Sequence, residues 1–261
     1  MNSALWAAKT GLDAQETQMA VVANNLANVN TTGYKESRGV FQDLYYQNVR
    51  QVGGSTSQDT LAPTGLNLGT GVQMVSTEKL YTQGSVNQTG NSLDVAINGR
   101  GFFQVLTPDG TLAYTRDGSF QTNAQGQVVT AAGYTLQPAI TIPQGAQSIT
   151  IGNDGTVSVL VAGQTAPTTV GTLQLADFVN EAGLQPLGQN LLVASASSGT
   201  AQTANPGLSG MGTLQQGATE SSNVDVVSEM VSMIETQRAY EMDSKAIQTT
   251  DQMLQNLSTS L

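Results

Sequence analysis

Any chemistry in this chain has to come from carboxylates, hydroxyls, amides and a few cations, because its 261 residues include no His and no Cys. The first absence removes an imidazole base, a histidine triad and a His-ligated metal. The second removes disulfides, Cys-ligated zinc, Fe–S clusters and thiol catalysis. Asp109 and Asp117 could serve as a glycosidase pair, but Asp109 sits between Pro108 and Gly110 and Asp117 precedes Gly118, both turn sequences. Asn153-Asp154-Gly155 lacks the spaced acidic ligands and closing Glu of a calcium loop and reads as a hairpin turn. Gly99-Arg100-Gly101 runs straight into Phe102 and Phe103 with no helix start behind it, which is no phosphate loop. Arg238 and Tyr240 have two readings. Either Arg238 pairs across a subunit contact while Tyr240 packs in a helix seam, or Arg238 is exposed and pairs locally with Glu235 or Glu241. No enzymatic activity, cofactor or metal is expected.

The bulk composition points to packing rather than catalysis. Only 11% of residues are charged, against roughly 25% in typical soluble domains. The difference is made up by Gln, Asn, Ser, Thr and Gly, a neutral surface that can pack against copies of itself without desolvating charge. The net charge of −10, with no Lys or Arg between Arg116 and Arg238, argues against nucleic acid and anionic lipid as partners. No run of about 18 apolar residues is present to cross a bilayer. Lys9, Asp13 and Glu16 interrupt the N-terminal stretch, so no secretory signal is expected, and export, if it occurs, needs a route without a cleaved leader.

The elements that position these residues fall into two kinds. Leu5, Ala8, Leu12, Gln15, Met19, Val22, Leu26 and Val29 follow steps of three and four, predicting a helix over residues 1–30 that stops before Gly33. Val226, Met233, Tyr240, Ile247, Leu254 and Leu261 recur every seven residues, with Val227, Met230, Ile234 and Leu257 widening the stripe, and predict a second helix over 223–261. Ser222 or Asn223 is its expected N-cap. Between them, alternating pairs such as Val95/Ile97, Phe103/Val105 and Val157/Val159, with turn signals at Asn98-Gly99, Pro108-Asp109-Gly110, Asn123 to Gly126 and Asn153 to Gly155, predict an antiparallel all-β domain over 93–194. Residues 31–92, with Gly53-Gly54-Ser55-Thr56-Ser57 and a Gly-rich stretch at 65–71, and residues 195–222 read as extended connectors. The expected fold is α+β, with long terminal helices pairing as a discontinuous coiled-coil domain. A two-helix pair leaves much of each stripe in water, which predicts contact with further copies of the chain. The expected assembly contacts are Leu5, Leu12, Met19, Val22, Asn24, Asn25, Leu26, Asn28, Val29, Val226, Met230, Met233, Ile234, Arg238, Tyr240, Ile247 and Leu254. Asn24, Asn25 and Asn28 either set register at a helix contact or face solvent near a fraying end.

Three strings carry a resemblance to a known family. The run from Ala23 to Lys35, ANNLANVNTTGYK, and the run SSNVDVVSEMVSMIETQRAYEMDSKAIQTTDQML at 221–254 resemble the terminal signatures of the bacterial flagellar rod and hook proteins. DVAINGRGFFQV and YTRDGSFQTNAQGQVVTAAGY resemble that family's shared β region. The opening residues from Ser3 to Gln15 and FQDLYYQNVRQVGG at 41–54 are similar to the distal-rod branch, in which the latter segment is linked to a straight, stiff rod; here it includes Phe41, Leu44, Tyr45, Tyr46 and Arg50. The resemblance implies a structural subunit that polymerises helically into a hollow shaft carrying torque from motor to hook. It also implies a periplasm-spanning basal-body location, export through the flagellum's own channel, and proximal rod subunits, hook subunits and surrounding ring proteins as neighbours. Gly217-Ala218-Thr219 stands where relatives carry a bulky apolar residue. A proximal rod or hook subunit is the alternative within the family. A cell-surface carbohydrate-binding protein or adhesin is the alternative outside it.

Overall fold

A computed structural model describes residues 3–52, 63–164 and 166–259, without the side chains of Ser3, Ala4, Leu254 and residues 257–259. The expected roles of residues 53–57, Leu254, Leu257 and Leu261 therefore lie outside the described residues. The chain divides into two units, one of Met1–Ala27, Ser37–Glu78 and Asp225–Leu261, the other of Asn28–Glu36 and Lys79–Val224. The class is α+β as the patterns predict: two terminal helices in contact flank a β-rich middle region.

The first unit is built on α1 (Ser3–Ala27) and α2 (Val226–Thr259). They run antiparallel: Asn25 meets Glu229 at one end, and two heptads along each helix Gly11 faces Asp243. Asp225, not Ser222 or Asn223, caps α2, its carboxylate accepting the Val227 amide at 3.0 Å and its carbonyl the Glu229 amide. The two expected caps have other partners: Ser222 accepts from Val224, and Asn223 from Glu36. Strands β1 (Ser37–Asp43) and β4 (Val72–Lys79) pair, and β2 (Gln47–Arg50) and β3 (Leu66–Leu68) pair between them as a two-stranded arm. The root of the arm is closed by the Leu44 amide donating to the Gly71 carbonyl at 2.9 Å. Gly71 has φ +116°, and a Cβ there would overlap Thr10 Oγ1 of α1, so the arm's base seats directly on the helix.

The second unit carries the core. Its strands are β5 (Val86–Gln88), β6 (Val95–Asn98), β7 (Phe102–Leu106), β8 (Leu112–Thr115), β9 (Phe120–Thr122), β10 (Val128–Thr130), β11 (Thr135–Gln137), β12 (Ala146–Ile151), β13 (Thr156–Val161), β14 (Thr168–Thr172), β15 (Leu175–Asp177), β16 (Gln185–Gly188), β17 (Leu191–Val193), β18 (Gln202–Ala204), β19 (Thr213–Gln216) and β20 (Ala218–Glu220). The largest sheet runs β16-β17-β8-β7-β11-β10-β9, with β15 joining β7 to β18; β12-β13-β14 form a second sheet. Every register described is antiparallel, and Val105, Phe103, Leu136, Val159 and Leu175 interdigitate in the main core. The turns at Asp109-Gly110, Asn123 to Gly126 and Asp154-Gly155 close hairpins β7–β8, β9–β10 and β12–β13. Asn98-Gly99 does not. β6 leaves the following strand and pairs with β19 instead, and Gly99, at φ +114°, packs a missing Cβ against Gly212. Strands also run through residues 195–222, where β20, with Ala218 and Thr219 buried, pairs with β5.

Candidate assembly surface

The helical unit has almost no core of its own. Among the described residues, Ala14 and Val22 are the apolar side chains it buries. The buried positions beside them are polar: Asn25, Glu229 and Thr236. On α2, Glu229, Ser232, Thr236 and Asp243 share one side of the helix at steps of three, four and seven, and each is buried or half-buried. Val227, Met230, Val231 and Ile234 occupy the opposite side, and all are at least 47% exposed. Met233 and Ile247, both half-buried, lie on the covered side among these polar residues, so α2 turns a mixed side inward and leaves the apolar side chains of its first turns uncovered.

The sequence-predicted contacts divide accordingly. Leu5, Leu12, Met19, Leu26, Met233 and Ile247 are half-buried, Val22 is buried, and Val226, Met230, Ile234, Arg238 and Tyr240 are exposed. Val29 is half-buried but belongs to the β-rich unit. The asparagines part ways: Asn24 is exposed and Asn28 half-buried, whereas Asn25 is 1% exposed. Asn25 Nδ2 donates to the Ser37 carbonyl at 2.8 Å and to Glu229 Oε1 at 3.3 Å, while its Oδ1 accepts the Ser37 amide at 2.9 Å. One amide thereby fastens the exit of α1, the start of β1 and the first turn of α2. In the arm region, Phe41 is exposed, Leu44 is half-buried, and Tyr45, Tyr46 and Arg50 face solvent, Tyr45 at 95%. Among the described residues, the large apolar side chains left exposed lie in this unit, apart from Leu112, Val179, Leu187 and Leu208.

A second group of residues escaped the sequence reading. In the β-rich unit Glu220, fully buried, accepts from Lys35 Nζ at 2.6 Å and the Gly84 amide at 2.9 Å on one oxygen, and from Arg116 at 3.3 Å on the other. Lys35 also donates to the Thr82 carbonyl at 2.7 Å, and Arg116 lies over the Phe102 ring. Burial pulls the Lys35 ammonium below its usual range, with Glu220 opposing, and acts on Arg116 in the same sense. Nearby, burial pushes the Tyr81 phenol well up. No local pattern marks this cluster, because its three members come from distant stretches of the chain. No group of three or more acidic residues among the described residues is arranged to hold a metal ion, and no described helix is long and apolar enough to cross a membrane.

Three family models match in order along the chain: flagella basal body rod protein over residues 5–35, flagellar hook protein FlgE/F/G D1 domain over 96–159, and flagellar basal body rod FlgEFG protein C-terminal over 215–260. Among curated relatives, the flagellar basal-body rod protein FlgG of Buchnera aphidicola subsp. Schizaphis graminum is 56% identical over 258 residues, covering 99% of each chain. Its namesake in Caulobacter vibrioides is 50% identical with 98% of each covered, and that in Bacillus subtilis 39% with 98% of each covered.

Proposed function

The chain belongs to the family of flagellar basal-body rod proteins FlgG, whose members are structural and not enzymatic, and from that premise we propose that it forms the distal part of the rod. Its subunits stack helically around a hollow axis, and the polymer carries torque from motor to hook. The observation that supports this reading is the uncovered apolar face at the start of α2, where Val227, Met230, Val231 and Ile234 are left for neighbouring copies. Leu5, Leu12, Met19, Leu26, Met233 and Ile247, only half-covered within one chain, complete those contacts in the assembly, together with Val226, Arg238, Tyr240 and Leu254. Proximal rod subunits, hook subunits and the surrounding ring proteins are the neighbours, and the subunit reaches its periplasm-spanning place through the flagellar export channel.

Ile234→Asp tests the reading directly. Ile234 is 47% exposed in the single chain, so the substitution leaves the β-rich unit intact, while a carboxylate in a helix bundle is uncompensated. Electron microscopy of basal bodies should show rods truncated before the distal segment, with the melting of purified monomer unchanged. Full-length rods carrying the variant would sink the assignment of this face.

A further inference from the structure

Every covalent path between the two units runs through four points, 27/28, 36/37, 78/79 and 224/225. Inside the β-rich unit, the chain passes that begin or end at those points are knitted together by side chains. Glu220 takes Lys35 from the pass that leaves α1, the Gly84 amide from the pass that leaves β4, and Arg116 from β8's end, while its own backbone carbonyl accepts the Gly33 amide at 2.8 Å. Asn223, three residues on, accepts the Glu36 amide at 2.7 Å and donates to the Leu80 carbonyl and Thr82 Oγ1, both at 2.9 Å. The Leu80 amide returns to the Glu36 carbonyl at 2.8 Å, and Ser221 bonds to Ser85. The three passes are thus cross-linked to one another at one buried place.

Two cations, Lys35 and Arg116, contact one carboxylate, Glu220, and the three side chains are at most 4% exposed, while Glu181 acts on both cations and Asp177 on Arg116 from farther away. Taking a cation out of water opposes folding, and Glu220 keeps Arg116 and the Gly84 amide as partners without Lys35. What Lys35 adds is a tie: its ammonium joins residue 35 to both Glu220 and the Thr82 carbonyl. Resting on the rod reading above, we infer that Lys35 and Glu220 form the joint through which load passes between the chain segments of the helical unit and the β-rich unit. Lys35 is a positioning residue in that joint, not a contributor to the folding of the sheet.

Two substitutions separate these roles. Lys35→Met leaves Glu220 with Arg116 and the Gly84 amide, so purified protein should melt within a few degrees of wild type, whereas Glu220→Gln strands two buried cations and should lower the melting temperature by about 10 °C. In Lys35→Met, hydrogen exchange at the Gly33 and Glu36 amides should quicken at least tenfold, with the β7 and β8 amides unchanged. Cells of the source organism carrying Lys35→Met as their sole copy should build rods in normal number, swim normally in dilute medium, and lose swimming as viscosity rises well before wild type. Lys35→Arg, which keeps the cation, should restore both readouts. Wild-type exchange at Gly33 together with wild-type viscosity dependence overturns the joint, and so does a complete absence of rods, which would make Lys35 an assembly residue. The rod reading fails separately, if cells lacking the chain altogether still build complete rods.

Discussion

Asn25 makes three hydrogen bonds from one short side chain, two to the Ser37 backbone and one to Glu229, and so ties the exit of α1 to β1 and to α2. Asn25→Ala leaves the Ser37 amide and carbonyl without that partner, which costs about 1–3 kcal/mol where such groups stay buried. Thermal disassembly of polymer, followed by far-ultraviolet circular dichroism, should shift down accordingly. Asn25→Asp is the sharper change, because a carboxylate cannot donate to Ser37 or to Glu229 and instead faces a second carboxylate. Its defect should exceed that of Asn25→Ala at pH 7 and shrink toward pH 4, as one of the two acids takes up a proton and donates it. A different sign of reasoning applies at Asp154, whose carboxylate accepts from the Thr156 amide and hydroxyl at 3.1 and 2.8 Å and is held below its usual value by them. A carboxylate with a lowered folded-state pKa stabilises above its unfolded value and loses that contribution as pH falls through the folded one. Asp154→Ala should therefore melt lower than wild type at neutral pH, with the gap closing in acid. A gap that persists at pH 2 would assign the effect to turn geometry alone.

At the scale of elements, the arm formed by β2 and β3 is a separable part. Its ends meet where the Leu44 amide bonds to the Gly71 carbonyl and Thr70 Oγ1 donates to the Tyr45 carbonyl at 2.6 Å, so residues 45–69 can be replaced by two glycines without parting β1 from β4. If the arm stiffens the polymer, rods from this deletion should bend, with normal subunit spacing along the axis; rods as straight as wild type would remove the arm from that role. The helices, the hairpins and the antiparallel class were legible because each rests on local periodicity or turn chemistry. Asn98-Gly99 misled because that signal reports a reversal of the chain, not which strand lies beside it. β6 pairs instead with β19, far along the chain, and long-range pairing leaves no local trace. The heptad stripe of α2 identified the covered line, on which Met233 and Ile247 are half-buried, but not that Glu229, Ser232, Thr236 and Asp243 would share that side or that Val227, Met230, Val231 and Ile234 would stay uncovered; spacing reports a stripe, and only the fold reports what else is turned inward. The Lys35–Glu220–Arg116 cluster was illegible for the same reason, since its three members come from distant stretches of chain.

For the whole molecule, these features imply that stability is divided very unequally. The β-rich unit buries Phe102, Phe103, Phe120, Phe178, Leu136, Ile140 and Leu175 almost completely, with edge-on aromatic contacts between Phe103 and Phe120 and between Tyr114 and Phe178. Each such side chain contributes on the order of 1.5–3 kcal/mol by burial. The helical unit buries Ala14 and Val22 among its described apolar residues, too little to offset the ordering of two long helices, whose stability has to come from packing. A subunit travelling alone should then keep a folded β-rich unit and loosely held termini, and should complete its helices only against neighbours. The single tryptophan, Trp6, reports on this because it lies in α1 and is 44% exposed, with Lys9 Nζ 5.6 Å from its ring. In dilute monomer its emission should be close to that of free indole in water and readily quenched by acrylamide. On polymerisation the emission should move to shorter wavelength and quenching should fall. Protease applied to the monomer should remove both termini and leave a resistant fragment bounded near residues 28 and 224, whereas the polymer should resist throughout. A monomer that already shields Trp6 and withstands cleavage at both ends would mean that the α1–α2 pair is stable without neighbours, and the uncovered apolar face of α2 would then need another explanation.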